Sequence, residues 1–217
     1  MPKITKIEQQ KKNKDRVSVY IDDEFAFGIH KDIIIDFNIA VGKEIEDTYI
    51  QDILKREEQK KANDYALNLL SFSPRSEREI CDRLRSKGYE DEIINNTLEM
   101  LRKYNFINDT EYAKMFTKDK MNFSKDGSYK IKQKLYMKGI DKDIIDSVVD
   151  ELVDEDEEYE RALSIAEKKY LSYGNIEAYK KFKKLNDFLL RKGFDYDIIS
   201  RVITTIKNKD HSSNFEE

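Results

Sequence analysis

The sequence predicts a mainly α-helical protein: three tandem three-helix repeats preceded by a small N-terminal module containing a β-hairpin. Two observations predict it. Charged and hydrophobic residues each make up 39% of the 217 residues, with only 7 Gly, 2 Pro and no Trp, a composition that suits amphipathic helices joined by tight turns and not a large two-sided sheet. A helix–glycine–helix pattern also recurs three times between residues 57 and 208.

The N-terminal module is assigned to residues 1–56. Val17–Ile21 and Phe25–Ile29 are clusters of β-formers on either side of Asp22-Asp23-Glu24, which predicts a hairpin, and Ile4 to Glu8 supplies a third strand. Ile33, Ile34 and Phe37 then stand at helical spacing, Gly42 interrupts, and a longer helix begins near Asp47.

The repeats are assigned to 57–104, 105–154 and 155–208, leaving a polar tail at 209–217. Their segments Arg83–Tyr89, Lys134–Ile140 and Phe188–Phe194 each place Leu four residues before a glycine, Lys directly before it and a large apolar residue after it. Ile80, Ile131 and Leu185, eight before each glycine, complete an i, i+4 apolar ridge with Leu84, Leu135 and Leu189. Beyond the glycine, Ile93-Ile94, Ile144-Ile145 and Ile198-Ile199, then Leu98, Val149 and Ile203, then Leu101, Leu152 and Ile206 follow the 3.6-residue period. Gly88, Gly139 and Gly193 therefore end one helix in the left-handed conformation that glycine adopts at low cost. Asp141 and Asp195 cap the next helix, with Glu90 as a weaker substitute. Upstream amphipathic segments at Ala62–Phe72, Asn108–Met121 and Tyr159–Tyr173 supply the first helix of each unit, and Ser76–Glu79 and Asn108–Glu111 read as capping boxes.

No apolar run is long enough to span a bilayer, and Met1 to Lys14 lacks the apolar centre of a signal peptide, so a cytoplasmic protein is expected. Cys81, the single cysteine, is expected to be an inert core residue. No phosphate loop, dinucleotide fingerprint or nucleophile elbow is present, and His30 and His211 lie in different modules without metal-ligand partners. The acidic run Asp150–Glu158 lacks the glycine and alternating oxygens of a calcium loop and reads as a solvated linker between the second and third repeats, with its acids also near a helix start. The expectation is therefore a protein that binds macromolecules, with no catalytic residue, metal or cofactor.

Net charge is −4, against a protein that coats nucleic acid through bulk positive charge. Charge is segregated, however. Lys114 to Lys138 holds eight lysines and two acids, whereas Asp141 to Glu160 holds eleven acids and one base, and such blocks attract each other. Lys130, Lys134 and Lys138 fall at i, i+4 and i+8 beside the apolar ridge and are expected to project together from one side of the helix. Arg75, Arg78, Arg83, Arg85 and Lys87 crowd the matching helix of the first repeat, and Lys184 and Lys192 stand among the bases of the third. With Lys125 and Lys132 these form the candidate binding residues, directed at phosphates or an acidic protein surface. The plainer alternative is that long cationic chains solvate their helices, with Lys87, Lys138 and Lys192 offsetting helix dipoles. Tyr129, Tyr136 and Phe188 lie near these bases, and packing is expected of them rather than base stacking.

With these motifs in hand the chain resembles the RecX family, regulatory proteins of the RecA recombinase. The likeness is carried by Pro74–Ile80 through Arg83–Tyr89, by Phe106–Ala113, by Ser124–Leu135 with Lys138-Gly139-Ile140, and more weakly by Leu189, Lys192-Gly193-Phe194 and Ile198-Ile199. Lys134 departs from it, standing where an acid is usual. The resemblance implies an elongated, curved array that lies in the groove of the RecA filament on single-stranded DNA, inhibiting strand exchange, ATP hydrolysis and repressor cleavage. It implies the RecA filament as partner, with weak auxiliary affinity for single-stranded DNA and no membrane, and a monomer is expected. The alternative from the residues alone is a sequence-independent nucleic-acid-binding helical repeat without a recombinase partner, and salt dependence separates the two.

Overall fold

The computed structural model describes residues 2–174 and 176–213. Among these the elements run β1 (Ile4–Gln9), β2 (Arg16–Ile21), β3 (Glu24–His30), α1 (Lys31–Asp36), α2 (Asp47–Phe72), α3 (Glu77–Ser86), α4 (Asp91–Lys103), α5 (Asp109–Asp119), a π-helical segment (Lys120–Ser124), α6 (Ser128–Met137), α7 (Lys142–Leu152), α8 (Glu155–Leu171), α9 (Ala178–Lys192) and α10 (Tyr196–Ser213). The chain divides into two compact units, residues 1–74 with 80–106, and residues 75–79 with 107–217. Residues 214–217 of the expected tail and the side chain of His211 lie outside the described residues.

In the first unit β1, β2 and β3 form an antiparallel sheet in that order. Asp22 and Asp23, both at positive φ (50° and 70°), make the two-residue turn whose left-handed backbone matches strand twist. Ile4, Val19, Phe27 and Ile29 turn inward onto Ile33 of α1 and Ile53 of α2. Beneath them Glu57, almost fully buried, accepts hydrogen bonds from Arg16 Nη1 at 2.5 Å and from the His30 backbone N–H at 2.7 Å. The helix expected near Asp47 and the segment Ala62–Phe72 are one helix: α2 runs unbroken for 26 residues. Its first half closes the sheet and its second half packs on α4. There the Thr97 hydroxyl donates to Asn63 at 2.8 Å and accepts from Gln59 at 2.9 Å, a buried polar contact where the other repeats carry Val148 and Val202.

The apolar ridges sit where the periodicity puts them. Ile80, Leu84, Ile131, Leu135, Leu185 and Leu189 are all fully buried. In the second unit α5, α6 and α7 pack mutually around one core, and α8, α9 and α10 around another. Small residues at i, i+4 on the first helices, Ala113 with Thr117 and Ala162 with Ala166, are fully buried too and let those helices approach closely. Cys81 departs from expectation: it is half-buried, on the flank of α3 beside the ridge.

The caps follow the same logic. Gly88, Gly139 and Gly193 have φ of 89°, 80° and 83°, and in each corner the next residue's N–H bonds back to the ridge leucine, Tyr89 to Leu84, Ile140 to Leu135 and Phe194 to Leu189. That is a Schellman closure with its apolar contact. Asp141 and Asp195 cap as expected, whereas Glu90 makes no side-chain cap bond. Ser76 and Glu79 form both halves of a capping box, and Asn108 caps α5 through Thr110 and Glu111.

Candidate macromolecular interface

The second unit shows how a glycine corner is used. At the Gly139 corner the incoming segment is Arg75–Glu79: the Ser76 hydroxyl donates to the Lys138 carbonyl at 2.7 Å, the Glu77 N–H to Asp109 at 2.9 Å, and Lys138 Nζ to Glu79 at 2.7 Å. At the Gly193 corner the incoming segment is Ser124–Lys130. The Gly127 N–H donates to the Lys192 carbonyl at 2.9 Å, the Tyr129 N–H to the Gly193 carbonyl at 3.1 Å, and the Ser128 N–H to Glu158 at 2.6 Å. Lys192 Nζ reaches back to the Ser124 carbonyl at 2.7 Å. In both cases the start of a middle helix sits on the next repeat's corner: at Gly193 its orphan N–H groups donate directly to the corner's orphan C=O groups, whereas at Gly139 the Ser76 hydroxyl serves the corner carbonyl and the Asp109 carboxylate takes the Glu77 N–H. The approach is close: a Cβ on Gly139 would lie 2.2 Å from the Arg78 side chain, and one on Gly193 2.2 Å from Lys130 Cβ and 2.5 Å from its backbone N.

Lysines are drawn into this junction. The π-helical segment ends with Lys125 in the left-handed region, which turns the next residue, Asp126, inward until its side chain is only 2% exposed. Lys134 pairs with Asp126 at 2.5 Å, Lys130 at 3.2 Å and Lys192 at 3.9 Å. Burial alone raises a carboxyl pKa; for Asp126 the hydrogen bonds and charges of Lys134 and Lys130 outweigh burial and hold it below its ordinary value. Glu79 behaves likewise: desolvation raises it, and Lys138 and the Ser76 N–H bring it below the usual range. Lys138 is raised in turn, its desolvation outweighed by Glu79 and Tyr112.

Lys130 and Lys134 on α6 and Lys138 at its C-cap lie along one side of the helix as expected, and their part-buried ammonium groups pair with Asp126 and Glu79. Helical spacing shows which side chains are neighbours on one helix and is blind to acids that other segments bring to them. Lys132 is likewise engaged, with Asp146 at 2.8 Å and Asp150 at 3.3 Å, and Lys114 pairs with Glu151, so the basic and acidic blocks do attract each other. Arg85 pairs with Asp91 at 3.1 Å. Arg78 packs its stem at the Gly139 corner, and Arg75 is half-buried with its Nε unpartnered. Four of the candidate residues remain exposed and without an ion pair among the described residues: Arg83 and Lys87 in the first repeat, Lys125 in the second and Lys184 in the third. Lys87 lies over the Tyr65 ring at 5.5 Å and Lys184 over Tyr173 at 5.8 Å.

Two further expectations are refined. The acids of the run stand at a helix start as expected, but the linker is reduced to Val153 and Asp154: α7 ends at Leu152, Asp154 caps α8 through Asp156 and Glu157, and Glu158 is buried on the Ser128 N–H. Acids at a helix start are favoured by its dipole, which fits the position expected of them. Tyr129 and Tyr136 do not pack but are 71% and 70% exposed on the outer side of α6, whereas Phe188 packs on the third core. Sequence reasoning missed Asp126, Glu79 and Glu158 as junction residues. The signal available was an acid at the start of a helix, Glu79 in α3 and Glu158 in α8, or just before one, Asp126 ahead of α6. Among the described residues there is no His/Cys/Asp/Glu cluster able to hold a metal, and no helix long and apolar enough to cross a membrane.

Comparisons with known proteins match the architecture piece by piece. Residues 2–46 match the family model of the regulatory protein RecX N-terminal domain, and residues 62–101, 108–149 and 155–203 match the first, second and third RecX three-helix domains. The Regulatory protein RecX of Clostridioides difficile (strain 630) is 40% identical over 207 residues, covering 95% of this chain and 97% of the relative. That of Clostridium botulinum (strain Alaska E43 / Type E3) is 36% identical over 210 residues, covering 96% and 98%. A crystal structure of regulatory protein RecX superposes with a TM-score of 0.78 at 29% identity over 93% of this chain and 98% of that one. The crystal structure of RecX from Lactobacillus salivarius gives 0.64 at 32% identity over 70% and 98%. With its N-terminal sheet and all three helical repeats matched in order, the chain belongs to the RecX family of regulatory proteins.

Proposed function

We propose that this protein is a cytoplasmic regulator, mainly an inhibitor, of the RecA recombinase. It binds in the groove of the RecA filament on single-stranded DNA as a monomer, and modulates strand exchange, ATP hydrolysis and repressor cleavage by occupancy and not by chemistry of its own. The observation that carries this reading is the match of residues 2–46, 62–101, 108–149 and 155–203, in order, to the four domains of a family of regulatory proteins. The charge distribution supports it physically. Each repeat offers at least one exposed cation without an ion pair among the described residues: Arg83 and Lys87, Lys125, and Lys184. A repeat protein that touches a polymer at several points gains avidity from individually modest contacts. Arg78, Arg85, Lys130, Lys132, Lys134, Lys138 and Lys192 are assigned to contacts within the chain and Arg75 is half-buried, which leaves the four exposed cations as the principal contacts.

The test is RecA-promoted strand exchange and DNA-dependent ATP hydrolysis with and without the protein. Inhibition is expected at protein concentrations too low to occupy free single-stranded DNA. The combined variant Arg83→Glu, Lys87→Glu, Lys125→Glu and Lys184→Glu is expected to lose most of that inhibition while each change moves stability by less than about 0.5 kcal/mol, as exposed substitutions usually do. If the protein binds free DNA as tightly as the filament, loses that binding steeply with salt and leaves RecA untouched, it is the sequence-independent nucleic-acid binder.

A further inference from the structure

Three glycine corners are built alike, and two of them are filled. Each has a helix ending in Leu-x-x-Lys-Gly, a glycine at φ between 80° and 89°, and a Schellman closure on the ridge leucine. The Gly139 and Gly193 corners hold the start of a helix so tightly that a Cβ would collide at 2.2 Å, whereas a Cβ on Gly88 meets nothing within 4 Å. The lysine before the glycine differs in the same way. Lys138 holds Glu79 at 2.7 Å and Lys192 holds the Ser124 carbonyl at 2.7 Å with Asp126 at 3.9 Å. Lys87 is exposed and makes no ion pair among the described residues.

We propose that the Gly88 corner is an open receptor for the acidic, capped N-terminus of a helix on a partner protein. Three features specify that occupant. The negative end of the α3 dipole meets the positive start of an incoming helix favourably. Glycine at the corner admits backbone at van der Waals distance, which selects a small residue such as Ser or Gly at the incoming cap, as Ser76 and Gly127 show at the two filled corners. Arg83 in the last turn of α3 and Lys87 just past its end, four residues apart and both exposed, call for carboxylates in the incoming first turn, the part that Glu79 plays for Lys138. The inference deepens the reading above for the first repeat and rests on it only in taking the partner to be a protein.

The test uses the full chain and needs no recombinase, so it succeeds or fails separately from that reading. The probe is a synthetic peptide of residues 73–86, the segment whose start, with its Ser76–Glu79 capping box, fills the Gly139 corner, titrated into isotopically labelled protein and followed by amide resonances. Saturable shifts are expected at residues 84–91 and Tyr65, with an affinity on the order of 1 mM because a short helix must order as it binds. Lys87→Glu in the protein, or Glu79→Lys in the peptide, is expected to weaken binding about tenfold. Gly88→Asn, which keeps the left-handed backbone but fills the open space, is expected to abolish it. No shifts at 84–91, shifts confined to the Gly139 corner, or binding indifferent to Lys87→Glu and Gly88→Asn would each overturn the proposal. Concentration-dependent self-association abolished by Lys87→Glu would assign the corner to a second copy and overturn it too.

Discussion

Replacing each corner glycine by alanine separates two costs that the three positions share unequally. All three have φ between 80° and 89°, so each substitution incurs the left-handed strain of an L-residue, about 1–2 kcal/mol. At Gly88 that is the whole cost, because the new methyl enters open space. At Gly139 the methyl meets Arg78 Cδ at 2.2 Å and Cγ at 2.9 Å, atoms that swing aside, although Arg78 Cβ at 2.6 Å moves less freely. At Gly193 it meets the Lys130 backbone N at 2.5 Å and Cα at 2.9 Å, which move only if α6 does. Overpacking of that kind adds roughly 1–3 kcal/mol, so Gly193→Ala should cost about 2–5 kcal/mol in all. The expected order is Gly193 above Gly139 above Gly88. The assay is urea and thermal unfolding by circular dichroism, with hydrogen exchange of α6 and α9 as the local readout. At roughly 2–4 °C per kcal/mol for a protein of this size, Gly88→Ala should lower the melting temperature by a few degrees and leave α6 exchange unchanged. Equal losses at Gly88 and Gly193 would show that the corners are not close-packed junctions.

Asp126→Asn should destabilise the second unit by about 1–3 kcal/mol, because its three lysines are only part-buried and can rehydrate; the paired Lys130→Met and Lys134→Met change strands the carboxylate and should cost more, about 3–5 kcal/mol, as urea midpoints will show. Acid titration should reveal the same pairs. Asp126 and Glu79 are both held below their ordinary values, so they contribute stability that is fully present above the unfolded carboxylate range and is lost as the pH falls through their folded values. Glu79→Gln should therefore flatten the acid limb of stability against pH, and an unchanged slope would remove Glu79 from the junction. In the first unit, Glu57→Ala should cost about 3–5 kcal/mol by leaving Arg16 and the His30 N–H without their shared acceptor, seen as accelerated amide exchange in β2 and β3.

Much of the fold was legible because its signals are local. A 3.6-residue apolar period, a glycine four residues past a ridge leucine and a following acid each act through neighbours on one segment of chain, and Ile80, Leu84, Ile131, Leu135, Leu185 and Leu189 are buried as their spacing requires. The three strands, the Asp22-Asp23 turn and the Asp141 and Asp195 caps follow from the same short-range chemistry. What local reasoning did not join was α2: the helix start expected near Asp47 and the segment Ala62–Phe72 are one 26-residue helix, whose first half packs on the sheet and whose second half packs on α4.

The candidate site was legible in outline only. Twelve basic residues were marked by sign and recurrence, but what a lysine is available to do depends on the nearest carboxylate in space. Asp126 lies eight residues from Lys134, and Glu79 lies 59 residues from Lys138. The amino-acid sequence alone determined the helices, their buried faces, the glycine corners and the family. Tertiary structure decided which charges are consumed in joining repeats, that Arg83, Lys87, Lys125 and Lys184 stay exposed without an ion pair among the described residues, and which corner is left open. The physical reason is range: periodicity and capping operate over three or four residues, whereas ion pairing and close packing are settled only when distant segments meet.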